Sequence, residues 1–201
     1  ITHKMTDEIG QKLLKGAKVL LMPDSTEFVK DQVGGLFMTD YWNYRMFKTI
    51  CESNKKAVSP GTLGILTNPE HPIFNYFPTE MHTNWQWFPI IKESHPAILD
   101  NLRKEYRPIV QVIDNIERNH KLGLIFEFQI GKGKLLICMS DLEKTTKYPE
   151  GRAFYESIMR YMHSDKFCPN THLSDINALK TMLQQKLENK NMDKLNNISQ
   201  Y

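Results

Sequence analysis

LGLIFEFQIGKGKLLICM, residues 122–139, decides the fold of this chain. Two apolar runs, 122–130 and 134–139, are rich in β-branched and aromatic residues and flank Gly131-Lys132-Gly133, which predicts an antiparallel hairpin. A third glycine is missing and a strand follows, so the Gly-Lys-Gly run reads as a turn and not as a dinucleotide loop.

Upstream, PIVQVI (108–113) reads as another strand. Earlier still, AKVLLM (17–22) lies between Gly16 and Pro23 as an apolar run suited to a strand buried on both faces. Thr6 followed by Asp7 and Glu8 predicts an N-cap, with Met5, Ile9 and Leu13 on one helical face and Gly16 closing the helix. A Gly34-Gly35 turn and an Asp40 cap lead into a helix marked by Trp42, Met46 and Ile50, with Phe47 and Cys51 beside them, and TLGILT (62–67) is the next strand. This alternation of helix and strand is the grammar of a parallel sheet covered by helices, and the later hairpin makes the sheet mixed.

Phe154, Ile158 and Met162 predict a helix over 149–163 with Arg152, Glu156 and Arg160 on its solvated face. Ser174-Asp175 caps a last helix carrying Ile176, Leu179, Leu183 and Leu187. The expected organisation is an α/β domain over residues 1–170, a helix packed on it over 171–187, and a polar, frayed tail over 188–201. Between 68 and 95 neither period holds, and the Pro-rich, aromatic-rich sequence reads as a long structured loop with one turn of helix.

Composition narrows the function. Lys and Arg number 26 against 23 Asp and Glu, and they are scattered, so no nucleic-acid partner is expected. No apolar run has the length of a transmembrane helix. Cys51, Cys138 and Cys168 have neither zinc-ligand nor disulfide-scaffold spacing and read as free thiols, Cys51 and Cys138 as small buried hydrophobes. No P-loop, HExxH, GxSxG or CxxC is present, and no metal or cofactor is expected. His71 and His95, beside prolines, read as loop residues. A start at Ile1-Thr2-His3, without an initiator Met or an apolar leader, suggests a piece of a longer protein.

Two clusters hold the candidate site residues. In the irregular loop, Glu80, His82, Trp85 and Trp87, with Asn84 and Gln86, combine indole faces suited to the C–H faces of sugar rings with groups that bond hydroxyls. The alternative is that Trp85 and Trp87 pin the loop to the core. After PIVQVI come Asp114, Asn115, Glu117, Arg118, Asn119 and His120, where ligands collect beyond strand carboxyl ends. There the alternative is an ion pair of Arg118 with Asp114 or Glu117 that ties down a turn.

GAKVLLMP, LGILTNPEHPIFNYFPTEMHTNWQWF, YRPIVQVIDNIERNHKLGLIFEFQIGKGKLLICMSDL and FYESIMRYMHSDKF carry a family likeness over roughly residues 1–170. The chain resembles the C-terminal region of large bacterial family 2 glycoside hydrolases, β-galactosidase-like enzymes of Bacteroides-type polysaccharide users. That resemblance implies a flavodoxin-like, class I glutamine amidotransferase-like layered fold, with Ile1-Thr2-His3 as the end of a first sheet strand otherwise missing. It implies catalytic glutamates in an upstream (β/α)8 barrel, partners among upstream domains of the same parent chain, and a periplasmic or cell-surface location. The amidotransferase nucleophile has no counterpart, because the turn after TLGILTN carries Asn68, Pro69 and Glu70 and no cysteine.

The resulting expectation is a non-catalytic accessory domain, scaffolding or carbohydrate-binding, of a hydrolase acting on glycans such as β-galactosides. Its ligand residues would be Glu80, His82, Trp85 and Trp87, with Asp114, Glu117 and Arg118 as a second set. A small hydrolase or transferase with Glu117 or His120 as general base, and a purely structural interface domain, are the alternatives.

Overall fold

The hairpin that opens the sequence reading is the spine of the sheet. In the computed structural model, β5 (Lys121–Ile130) and β6 (Gly133–Cys138) pair antiparallel from Ile125↔Cys138 to Ile130↔Gly133. The two-residue turn between them needs a left-handed residue, and Gly131 supplies it at φ +57°. Gly133 is required for a different reason: a Cβ there would stand 2.3 Å from the Leu13 carbonyl oxygen of the helix crossing above.

The structure describes residues 1–28, 44–56, 61–115 and 118–186. The predicted Gly34-Gly35 turn, Asp40 cap, Trp42, Leu187 and the tail over 188–201 lie outside the described residues, as does Glu117. The sheet runs in the order β1 (Lys18–Leu21), β6, β5, β4 (Val110–Ile113), β2 (Gly64–Thr67), with β3 (Ala97–Ile98) paired to the start of β5. Only β1 with β6 is parallel among these strand pairs; β2, β3, β4, β5 and β6 pair antiparallel. The first two strands in sequence therefore sit at opposite ends of the path, with the hairpin and β4 between them. Beyond β1, Thr2 makes a parallel bridge to Leu21, which places the Ile1-Thr2-His3 stretch on the sheet as read. The result is a layered α/β fold on one open mixed sheet flanked by helices.

The helices start where local chemistry says they should. Thr6 Oγ1 accepts the Ile9 N–H ahead of α1 (Asp7–Leu14), and Gly16 follows its end at φ +105°. Asp175 Oδ1 accepts the Asn177 and Ala178 N–H groups at the start of α6 (Ile176–Leu183). α5 spans Pro149–His163, as the periodicity predicts, and buries Phe154, Ile158, Tyr161 and Met162. Its last carbonyls are met from the sheet: Lys18 Nζ donates to Met162 O at 2.9 Å and to Ser164 O at 3.3 Å. α2 (Tyr44–Ser53) departs from expectation. Met46 and Ile50 face solvent, while Phe47 and Cys51 are half-buried, so the inward side is rotated from the predicted stripe.

The 68–95 stretch is more ordered than its sequence suggests. It folds into 3₁₀ turns at Pro72–Phe74 and Trp85–Trp87 and into α3 (Phe88–Lys92), and it buries Ile73, Phe74, Phe77, Trp87, Ile90 and Ile91. Packed against α5 and the short α4 (Leu142–Thr145), it completes a helical layer. Its two tight turns are capped by side chains, His71 Nδ1 on Ile73 N–H and Asn84 Oδ1 on Gln86 N–H, which replaces the hydrophobic period as the source of order.

Candidate functional site

The aromatic loop separates the two tryptophans. Trp87 is wholly buried, its Nε1 donates to Thr79 Oγ1 at 2.8 Å, and its ring meets Phe74, Phe77 and Phe154 edge-on at 5.1–6.1 Å. It pins the loop to the core and offers no surface to a ligand, which corrects its place in the expected ligand set. Trp85, two residues away, is 85% exposed, its ring 5.9 Å from that of Phe88.

The segment carrying Trp85 is fastened on several sides. Ile65 N donates to Thr83 Oγ1, Thr67 N to Met81 O, Thr67 Oγ1 to Glu80 O, and Gln86 Nε2 to Pro78 O. Leu66 and His82 form an antiparallel bridge, so the loop runs along the free edge of β2. Glu80 and His82, both exposed, approach to 3.7 Å. Glu80, His82 and Trp85 thus come from one laced segment that also exposes Met81.

At the carboxyl end of β4 the second cluster closes on itself. Asp114 Oδ1 accepts from Arg118 Nη2 at 2.6 Å and Nε at 3.0 Å, and from Asn115 N, while Oδ2 accepts from His120 N. The side chains of Asp114 and Arg118 are 1% and 5% exposed. Asn115 Oδ1 accepts the Arg118 N–H, and Asn119 takes the left-handed φ of +50° that its short polar side chain tolerates. His120 Nδ1 lies 2.7 Å from Asp100 Oδ2. Of the ion pairs weighed for Arg118, the one with Asp114 is formed, and Glu117 lies outside the described residues.

A third place went unread in the sequence. A cleft of about 340 Å³ opens between the residues preceding β4, the middle of β5 and the chain at 170–171. Glu127 is on its wall, its Oε2 accepting the Tyr161 hydroxyl at 2.8 Å. Burial holds the Glu127 carboxyl above the usual carboxylate range, opposed in part by that hydroxyl and by Lys134. His71 lines the same cleft with its ring 5.3 Å from that of Tyr161, and burial lowers its pKa from the ordinary imidazole value. Burial and the Glu127 charge together raise the Tyr161 phenol. A carboxyl pushed up and an imidazole pushed down bring two groups toward neutrality from opposite sides. The sequence signal was a single Glu inside FEF, within a largely apolar strand.

The thiols offer less. Cys138 is buried, and burial pushes its thiol up to about 12; Cys51 is half-buried and Cys168 exposed. Among the described residues no group of three His, Cys, Asp or Glu side chains is arranged to hold a metal ion, and no helix is long and apolar enough to cross a membrane.

The sequence profile of a domain of unknown function, DUF8487, matches residues 1–184, nearly the whole chain, and the chain belongs to that family. No curated protein matches it.

Proposed function

We propose that this member of the DUF8487 family is a non-catalytic accessory domain of a larger glycoside hydrolase of the family 2, β-galactosidase-like type. In that reading it holds a glycan chain beside the catalytic domains upstream of it. The observation that carries the binding half is the exposure of Trp85 on a segment fastened to the edge of β2. Trp85, with the exposed Met81 and Phe88 nearby, offers an apolar surface whose indole face suits the C–H face of a pyranose. Glu80 and His82 on the same segment supply hydroxyl partners at the rim.

The finer fold assignment, flavodoxin-like or class I glutamine amidotransferase-like, goes with this reading. In its favour are the parallel pairs of β1 with β6 and of Thr2 with Leu21; the antiparallel β2, β4 and β5 are departures it must accommodate. The alternative, hydrolase or transferase chemistry at the strand end with Glu117 or His120 as general base, would work beside the buried Asp114–Arg118 pair and the contact of His120 Nδ1 with Asp100.

The test is calorimetric titration of the chain with β-linked galacto-, gluco- and manno-oligosaccharides, in parallel with Trp85→Ala. Saturable binding that disappears in the variant at unchanged thermal stability is the expected result. Silence across the panel would sink the glycan reading and leave a docking role.

A further inference from the structure

β5 has β6 along one edge without interruption from Ile125 to Ile130, but its other edge is broken. β4 pairs only as far as Val110↔Ile125, with a register shift there, and the chain at 171–173 takes over at Gln129. Between the two, the Glu127 carbonyl receives the Tyr106 hydroxyl at 3.2 Å in place of a strand N–H. The cleft of about 340 Å³ is this gap in the sheet.

Glu127, His71 and Asn170 line the gap together. Glu127 Oε2 is taken by Tyr161, but among the described residues nothing donates to Oε1. His71 Nδ1 accepts the Ile73 N–H, so the neutral ring carries its proton on Nε2, and no described residue accepts it. The amide of Asn170 at the rim makes no side-chain hydrogen bond to a described residue. The free Oε1 is open to the cleft, where a ligand hydroxyl can donate to it. A carboxylate acceptor and N–H donors lining one cleft suit adjacent hydroxyls, each of which both gives and accepts. Pro108 and Ile109 supply an apolar wall.

Charge selects among such ligands. Glu105 and Glu127 both line the cleft, while Arg107 Nη1 already donates to Lys104 O and Tyr106 O. The Arg107 guanidinium keeps its charge beside these carboxyls, so neither sign dominates the lining and a neutral ligand meets no net field. At roughly 30 Å³ per water the space holds about eleven waters, enough for one sugar ring and a few retained waters.

We propose that this cleft binds a single neutral polyhydroxylated ring, a monosaccharide unit, through Glu127, His71 and Asn170. The site shares no residue with the Trp85 segment and does not rest on the glycan reading of that surface.

Saturation-transfer NMR on the full chain with D-galactose, D-glucose, D-mannose, D-glucuronate and D-glucosamine tests it. At least one neutral hexose should saturate with a dissociation constant of millimolar order. Glu127→Gln should weaken that binding about tenfold, and Trp85→Ala should leave it unchanged. Asn170→Trp, on the exposed rim and away from the core, should block it without altering stability. The proposal is overturned if no neutral hexose saturates at about 50 mM, far above that expected affinity. It is equally overturned if only glucuronate or glucosamine binds, if binding survives both Glu127→Gln and Asn170→Trp, or if Trp85→Ala alone abolishes it.

Discussion

Trp85→Ala and Trp87→Ala, two positions apart in sequence, should differ in stability by most of what a core aromatic is worth. Trp87 has no exposed surface, meets three aromatic rings edge-on and donates to Thr79. Truncating a buried Trp to Ala costs about 3–5 kcal/mol, and here the cavity left among three aromatic rings places the expectation in the upper half of that range. Trp85 is 85% exposed, and its truncation should cost less than about 0.5 kcal/mol. Against a total stability of about 5–15 kcal/mol, Trp87→Ala removes about a quarter or more, and a chain of this length should melt about 8–20 °C lower. Urea unfolding followed by far-ultraviolet circular dichroism, which does not use the tryptophans as reporters, measures both variants on one scale. A Trp87→Ala loss below about 1 kcal/mol, or equal losses at the two positions, would refute this division of labour between the two tryptophans.

Arg118→Met leaves the buried Asp114 carboxylate without its guanidinium and should cost about 3–5 kcal/mol in urea unfolding, whereas replacing both partners with apolar residues should cost less than the two single losses combined. Glu127→Gln should gain on the wild type as pH rises. The native carboxyl sits above its unfolded value of 4.5, so its contribution is present below that value and is lost as pH rises through the raised native one. Melting temperatures of the two proteins from about pH 4 to about pH 7 should therefore converge or cross in the variant's favour. His71 acts in the opposite sense: its native value lies below 6.5, so its contribution is present above 6.5 and lost as pH falls through the native value, and His71→Phe should flatten that acid-side loss. Gly151→Ala places a Cβ 2.1 Å from the Thr145 carbonyl oxygen and should lower stability by about 1–3 kcal/mol in thermal melts, although Ala is the better helix former.

Several elements were readable because the forces that set them act over a few residues. The Thr6 and Asp175 caps, the Gly131 turn and the span of α5 follow from side chains within one turn of the backbone they satisfy. Where periodicity was weak the reading was thin. The 68–95 stretch gets its order from side-chain caps and from burial against α5, and only part of that is local. For α2 the apolar stripe was visible, but which side of it turns inward was not.

Among the candidate residues, the pairing of Arg118 with Asp114 was one of two that spacing offered as the alternative to a ligand role, because residues three or four apart in a turn can meet without help from the rest of the fold. Trp85 and Trp87 were indistinguishable as letters. Their opposite fates depend on where the segment crosses Phe77 and Phe154 and on its hydrogen bonds to β2.

By itself, then, the sequence determined the hairpin, the helix ends, the apolar strands and the mixed α/β character, since each follows from local propensity and pattern. The tertiary structure alone decided the strand order, which tryptophan faces water, and the meeting of His71, Glu127 and Tyr161 around a gap in the sheet. Those outcomes depend on contacts between segments far apart in the chain, and the free energy of such contacts is set by the packing of the whole fold.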